Sequence, residues 1–353
     1  MRLAGLLEPL AQRLPPETAH RAAILALKVA PPTAAPRADP RLRISVLGLA
    51  FPNPLGLAAG FDKNAEVPGA MLNFGFGFVE VGTLTPRPQA GNARPRLFRL
   101  REDAAVINRF GFNNEGFDRA RARLAAGRPP GLVGVNVGAN KDAADRIGDY
   151  ALGVRTFAPL ADYLTINVSS PNTPNLRDLQ RRDALDGLIA RALEARDYSA
   201  PRRPLMVKIA PDLDDRELDD ILAIALERRI DGLIVSNTTI ARPATLRSHH
   251  RAEAGGLSGR PLFAPSTRLL ARARLALGGR VALIGCGGVE DAATALAKIE
   301  AGADLVQLYT GLALKGVGVV ADILDGLVRA VSERGVPSLS ALTGTRAHEW
   351  AQR

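Results

Sequence analysis

Two lysines, a pair of serines and a set of asparagines are the residues of this chain best equipped for chemistry, and most of them stand directly after short apolar runs. The densest group is Asn167-Val168-Ser169-Ser170-Pro171-Asn172-Thr173-Pro174-Asn175, which follows Tyr163-Leu164-Thr165-Ile166. Its prolines and asparagines stop a strand abruptly and leave hydroxyls among carboxamides. A serine is a poor base unassisted, and no histidine lies in the motif. Taken alone, Ser-Ser-Pro is an ordinary capping turn, and Asn136, Asn167 and Asn237 can each be strand-ending caps. Lys208 is harder to dismiss. Met206, Val207, Ile209 and Ala210 flank it, a setting in which a lysine is rarely left without a charged partner or ligand; a solvated strand end is the alternative. Lys63 stands in a comparable place after an earlier run.

Glycines supply a second chemistry. Gly285-Cys286-Gly287-Gly288 offers backbone N–H groups free of side chains, and a helix expected to start near Asp291 would point its N-terminus at them, which suits an anion. Such turns also occur for steric reasons alone. With Thr310-Gly311 and Gly255-Gly256-Leu257-Ser258-Gly259 the set reads as a phosphate cradle. Cys286 reads as a small buried side chain.

The elements that must position these groups recur through the chain. Eight apolar runs are each followed by a loop signal and a helical stretch: Leu55-Ala59, Phe78-Val81, Leu132-Val137, Tyr163-Val168, Leu205-Ile209, Gly232-Val235, Val281-Ile284 and Leu305-Tyr309. Near-continuous apolarity marks strands buried on both faces, and intervening helices make neighbours parallel. The expected fold class is α/β, a (β/α)8 TIM barrel over residues 41–353, with the polar residues on its carboxyl-end rim. A doubly wound sheet is the alternative, but no Gly-x-Gly-x-x-Gly follows any run.

Residues 1–40 read as a short two-helix extension. Leu3, Leu6, Leu7, Leu10 and Leu14 recur at helical spacing, Pro15-Pro16 interrupts, Glu17 to Val29 gives a second helix, and the stretch from Pro31 to Pro36 reads as a linker. The hairpin is either a cap on the barrel or a foot on a membrane surface.

Composition narrows the classes. A 46% hydrophobic content supports a large core in 353 residues. One cysteine excludes an internal disulfide framework, and with only four histidines no metal centre is expected. A net charge of +10 favours an anionic partner. Aromatics are only 5% and no basic run occurs, which argues against nucleic acid. No apolar segment reaches the roughly 20 residues of a bilayer crossing.

The segments Ala58-Ala59-Gly60-Phe61-Asp62-Lys63-Asn64, Val81-Gly82-Thr83-Leu84-Thr85-Pro86, Asn108-Arg109-Phe110-Gly111-Phe112-Asn113-Asn114, Asn167-Val168-Ser169-Ser170-Pro171-Asn172-Thr173 and Gly255-Gly256-Leu257-Ser258-Gly259-Arg260-Pro261 together closely resemble the quinone-dependent, class 2 dihydroorotate dehydrogenases, in that family's order. The resemblance implies oxidation of dihydroorotate to orotate, in pyrimidine biosynthesis, on one non-covalent FMN. It makes Ser170 the base, with Thr173 and Phe112 beside it; the class 1 relatives carry cysteine at the Ser170 position. It implies substrate contacts from Lys63, Asn108, Arg109, Phe110, Gly111, Phe112, Asn167, Asn172, Asn237 and Thr238, carboxamides being matched to a ring that alternates C=O and N–H. FMN contacts are implied for Ala59, Gly60, Phe61, Asp62, Lys63, Thr83, Asn136, Asn167, Lys208, Ser236, Gly259, Gly287, Gly288, Tyr309 and Thr310. His20, Arg99 and Tyr309 match positions lining a tunnel for ubiquinone or menaquinone. The implied location is peripheral, on the cytoplasmic face of the inner membrane, and a monomer is compatible with it. The rival readings are a lyase or isomerase acting on a phosphorylated substrate, and a basic membrane-surface adaptor built on the same barrel.

Overall fold

The computed structural model describes residues 14–30 and 39–353. Its strands are set by where Val, Ile and Leu can bury two faces at once. β1 (Ile44–Val46) and β2 (Leu49–Phe51) form an antiparallel hairpin. Its turn residues Leu47 and Gly48 both have positive φ, as a two-residue turn between twisted strands requires. β3 (Leu55–Leu57) and β4 (Phe78–Leu84) start a closed parallel barrel, and β5 (Leu97–Leu100) and β6 (Ala105–Asn108) leave it as an antiparallel excursion. β7 (Leu132–Val137), β8 (Tyr163–Asn167), β9 (Leu205–Ile209) and β10 (Gly232–Val235) continue the barrel. β11 (Gly256–Gly259) pairs with β6, and β12 (Ala282–Cys286) and β13 (Leu305–Leu308) close the barrel onto β3.

This is the expected (β/α)8 barrel, with adjusted strand ends. Ala59, Val168, Val281 and Tyr309 lie outside strands, while β4 runs on to Leu84 and β12 to Cys286. The three-stranded sheet β5-β6-β11 was not expected.

Alternation persists inside the apolar runs. Val79, Val81, Val133, Val135, Leu164, Ile166, Val207 and Leu233 face the surrounding helices in the main core. The barrel axis instead holds Phe78, Tyr163, Met206, Ile234 and Ile284 towards the amino end, where Ile44 and Phe51 of the hairpin plug the floor. Glycines make room for these rings: a Cβ at Gly56 would lie 2.2 Å from the Phe78 ring, and one at Gly134 would lie 2.1 Å from Tyr163.

The helix Pro16–Val29 begins with proline in its first turn, where a missing N–H costs nothing. It is tied to the barrel by charge. Glu17 accepts from Arg96 at 2.6 Å and from Arg94 at 3.0 Å, and Glu66 pairs with Arg21 at 2.7 Å and with Lys28. The first expected helix, apart from Leu14, and the Pro31–Pro36 linker lie outside the described residues. No helix among the described residues is long and apolar enough to cross a membrane.

Candidate active site at the carboxyl end of the barrel

Inward-facing positions of β4, β7, β8 and β13 are polar above the apolar floor. Glu80, fully buried, accepts from Asn136 Nδ2 at 2.7 Å, Tyr163 OH at 3.0 Å, Gln307 Nε2 at 3.0 Å and Thr165 Oγ1 at 3.3 Å. A carboxylate only accepts, so it fixes the direction of everything stacked on it. Asn136 gives its NH2 to Glu80 and turns its carbonyl to Thr83 Oγ1, 2.6 Å away. Asn167 Nδ2 then donates to Thr83 Oγ1 at 3.0 Å, and Asn237 Nδ2 donates to Asn167 Oδ1 at 3.2 Å and to Ser169 Oγ at 2.9 Å. Four of the expected site residues, Thr83, Asn136, Asn167 and Asn237, thus form with their neighbours one oriented ladder from the barrel centre to the rim.

A second group closes on the ladder from the small sheet. Asn172 Nδ2 donates to Asn108 Oδ1 at 3.3 Å. Gly256 on β11 lets the layers meet, since a Cβ there would lie 1.9 Å from Thr238 Oγ1 and 3.2 Å from Pro171. Ser170, 6% exposed, stands in the loop between Asn167 and Asn172; its Oγ accepts a long bond from the Asn172 N–H at 3.3 Å and donates to no partner among the described residues. Thr173 Oγ1 is buried without a hydrogen-bond partner among the described residues. The Phe112 ring packs over Gly138 near Thr83, at a residue with φ of 54°.

Three loops are held in register by a residue that the sequence motifs did not single out. Arg177 donates to Ser169 O at 3.2 Å and Thr238 O at 3.0 Å, and pairs with Asp212 at 2.9 Å. Asp212 in turn accepts from Thr239 Oγ1 and from the Ile240 N–H. Glu80 lies inside an apolar run, Asp212 just after one and Arg177 in a polar loop, and none of the three belongs to a motif that marks it.

The two lysines differ. Lys63 Nζ donates to Gly60 O at 2.5 Å and sits 4.3 Å from the centre of the Phe110 ring. Burial, with Arg96 adding to it and Glu17 opposing, pushes its ammonium down to about 8. Lys208 is 5% exposed, opposite Asn167 in the β8–β9 register, and has no hydrogen bond or ion pair among the described residues. An enclosed ammonium without a partner marks space for an electron-rich group.

Some expected contacts point elsewhere. The Asp62 carboxylate is taken up by the amides of Asn64, Glu66 and Val67 in its own loop, and burial raises its pKa. Arg109 pairs with Glu253 at 2.7 Å and stacks on Phe98. Both side chains organise loops. Gly259, Gly287 and Gly288 all have positive φ, and Thr310 Oγ1 donates to Ser258 Oγ at 2.8 Å between them. The helix after this turn starts at Ala292, near Asp291 as expected, and Asp291 caps it, accepting from Thr294 N at 2.8 Å. Ser236 Oγ donates to Asn237 O. At the amino-terminal helix, His20 meets Phe61 edge-on at 5.3 Å and Tyr309 at 6.5 Å, while Arg99 donates to Leu14 O at 3.0 Å. Burial, then Lys63 and Arg21, lowers His20 to about 3, so its imidazole is neutral.

A family model described as dihydroorotate dehydrogenase matches residues 41–331, which span the barrel and every residue of this rim. The chain belongs to the dihydroorotate dehydrogenase family. Curated relatives place it on the quinone-dependent branch: proteins named dihydroorotate dehydrogenase (quinone) from Brucella anthropi and Brucella ovis are each 55% identical over 361 residues, covering 99% of both chains. Two crystal structures of an Eimeria tenella dihydroorotate dehydrogenase share the fold at 43% identity. The ferulenol complex superposes with a TM-score of 0.89 over 93% of this chain and 95% of the other. The ligand-free form gives 0.90 over 94% and 99%. The family match starts at residue 41, so the helix Pro16–Val29 lies outside it. The relatives' coverage includes that helix.

Proposed function

We propose that this chain oxidises dihydroorotate to orotate on bound FMN and passes the electrons to a membrane quinone. The observation that carries the proposal is one rim holding an unencumbered hydroxyl, an oriented set of carboxamides and an unpaired buried ammonium. The residues present fit a flavin. Lys208 lacks a partner among the described residues and lies opposite Asn167, where the electron-rich edge of an isoalloxazine would provide one. Thr83, Asn136, Asn167, Lys208 and Ser236 would hold the ring, and Gly259, Gly288 and Thr310 the phosphate. When bound, FMN supplies the two-electron acceptor for the hydride leaving the substrate.

The chain's own residues do the rest. Asn108 and Asn172 face Asn167 and Asn237 across the loop of Ser170, and each amide offers an acceptor and a donor pair to a ring of alternating C=O and N–H. Lys63 supplies positive charge for the substrate's carboxylate. Ser170 Oγ takes the proton from the ring carbon as its own hydroxyl proton passes towards Thr173 Oγ1, which has no competing partner among the described residues and hands its own proton on outward in turn. Lys208 stabilises negative charge as it develops, an effect magnified where water is excluded.

Residues 1–40 would rest on the membrane and lead the quinone in past His20 and Tyr309, with Arg99 at the Leu14 side. A neutral His20 in an aromatic cluster suits an apolar guest. The protein would sit on the cytoplasmic face of the inner membrane, and nothing in the site requires a second subunit. The test is purification and titration: a yellow protein that bleaches anaerobically on adding dihydroorotate, and recolours on adding a quinone, supports the reading. A colourless protein that FMN does not reconstitute overturns it.

A further inference from the structure

Lys298 lies on the helix Ala292–Ala301 and is completely buried. A buried ammonium is costly unless an anion accompanies it. No carboxylate reaches it among the described residues, and only the Cys286 thiol acts on it electrostatically. Its Nζ donates to Ser266 Oγ at 2.6 Å and lies 5.5 Å from the centre of the Phe263 ring.

Both neighbours form the seat of the Gly287-Gly288 turn. Ser266 Oγ makes its shortest bond to Leu262 O at 2.6 Å and lies 3.2 Å from Gly287 O, and a Cβ at Gly287 would come within 2.8 Å of that hydroxyl. A Cβ at Gly288 would lie 2.5 Å from Phe263 Cα. The ammonium is therefore one hydroxyl away from the backbone of the turn, and the turn cannot shift towards it. The next helix carries its own carboxylate, Asp291, at its N-cap.

We propose that Lys298 is a positioning residue for the phosphate end of the flavin: it is the buried counter-charge to a phosphate monoester on the Gly287-Gly288 turn and holds that turn through Ser266. The inference rests on the flavin reading of the site. Burial pushes Lys298 down to about 7, and a phosphate dianion nearby would favour its charged form.

The test compares two flavins that differ only in the phosphate. Flavin-depleted full-length protein is titrated with FMN and with riboflavin, following quenching of flavin fluorescence. Lys298→Met should weaken FMN binding about tenfold or more and leave riboflavin within about twofold. Equal losses for both flavins, or no loss for either, overturn the proposal. Should Lys298→Met fail to fold, Ser266→Ala keeps the ammonium and cuts its link to the turn. It must lower the FMN-to-riboflavin affinity ratio, and an unchanged ratio overturns the proposal. Failure of the flavin reading looks different, because the wild-type protein would then bind neither compound.

Discussion

Replacing Arg177 by methionine keeps most of the side-chain volume and removes the clamp between the loops of Ser170 and Thr238. Two charge-assisted bonds to carbonyls are lost, along with an ion pair whose partners are 23% and 18% exposed. Hydrogen bonds to charged groups contribute about 1.5–3 kcal/mol each, and partial exposure argues for the lower end. Some of the loss appears as lower stability, because Asp212 stays behind with Thr239 and Ile240 as its donors among the described residues. If about 2–3 kcal/mol falls on the transition state, flavin reduction slows by about one to two orders of magnitude. The loss belongs to one half-reaction. Stopped-flow reduction by dihydroorotate should slow while FMN affinity and reoxidation by quinone stay near wild type. Arg177→Lys should recover part of the rate and Asp212→Asn reproduce part of the loss. Reduction within about twofold of wild type, or equal losses in both half-reactions, would refute the reasoning.

Three other predictions test different levels of the structure. Gly134→Ala places a methyl group against the buried Tyr163 ring, whose hydroxyl is anchored on Glu80; it should destabilise by about 1–3 kcal/mol in denaturant unfolding, and Gly134→Ala/Tyr163→Leu should recover part of that. Lys63 titrates at about 8 before ligand binds, so affinity for the anionic substrate should fall as pH rises past that value, and Lys63→Met should bind weakly with no such step in an equilibrium titration. For Glu66, burial raises the pKa but Lys28 and Arg21 outweigh it, giving about 2 against an ordinary 4.5. A lowered carboxylate pKa stabilises fully above the ordinary value and loses that contribution as pH falls towards the folded one. Exchange of the Pro16–Val29 amides, corrected for intrinsic rates, should therefore quicken between pH 4.5 and 2, and Glu66→Gln should be fast throughout.

The barrel was legible because its strands bury both faces and read as plain apolar runs, and the rim was legible because polar residues follow those runs directly. What could not be seen was which residues turn inward. Glu80 sits within the run Phe78-Val81, and only the closed barrel reveals it as the acceptor that orients Asn136, Thr83 and Asn167. The β5-β6-β11 sheet escaped because its members are four residues long, and β11 is half glycine. Asp62 and Arg109 matched their motifs by position, but side-chain direction depends on loop closure. Arg177 and Asp212 lie on different loops, 35 residues apart, and their pairing exists only in three dimensions. The helix cap at Asp291 follows the Asp-x-x-Thr spacing.

The central claim is that Ser170 removes a proton from a substrate held beside a flavin on this rim. Anaerobic mixing of dihydroorotate with the flavin-loaded wild type and with Ser170→Ala tests it most directly, by the bleaching of flavin absorbance. Bleaching should be rapid in the wild type, and in the variant flavin content should be normal with bleaching slowed by at least about a hundredfold. Equal bleaching rates in the two proteins would contradict it.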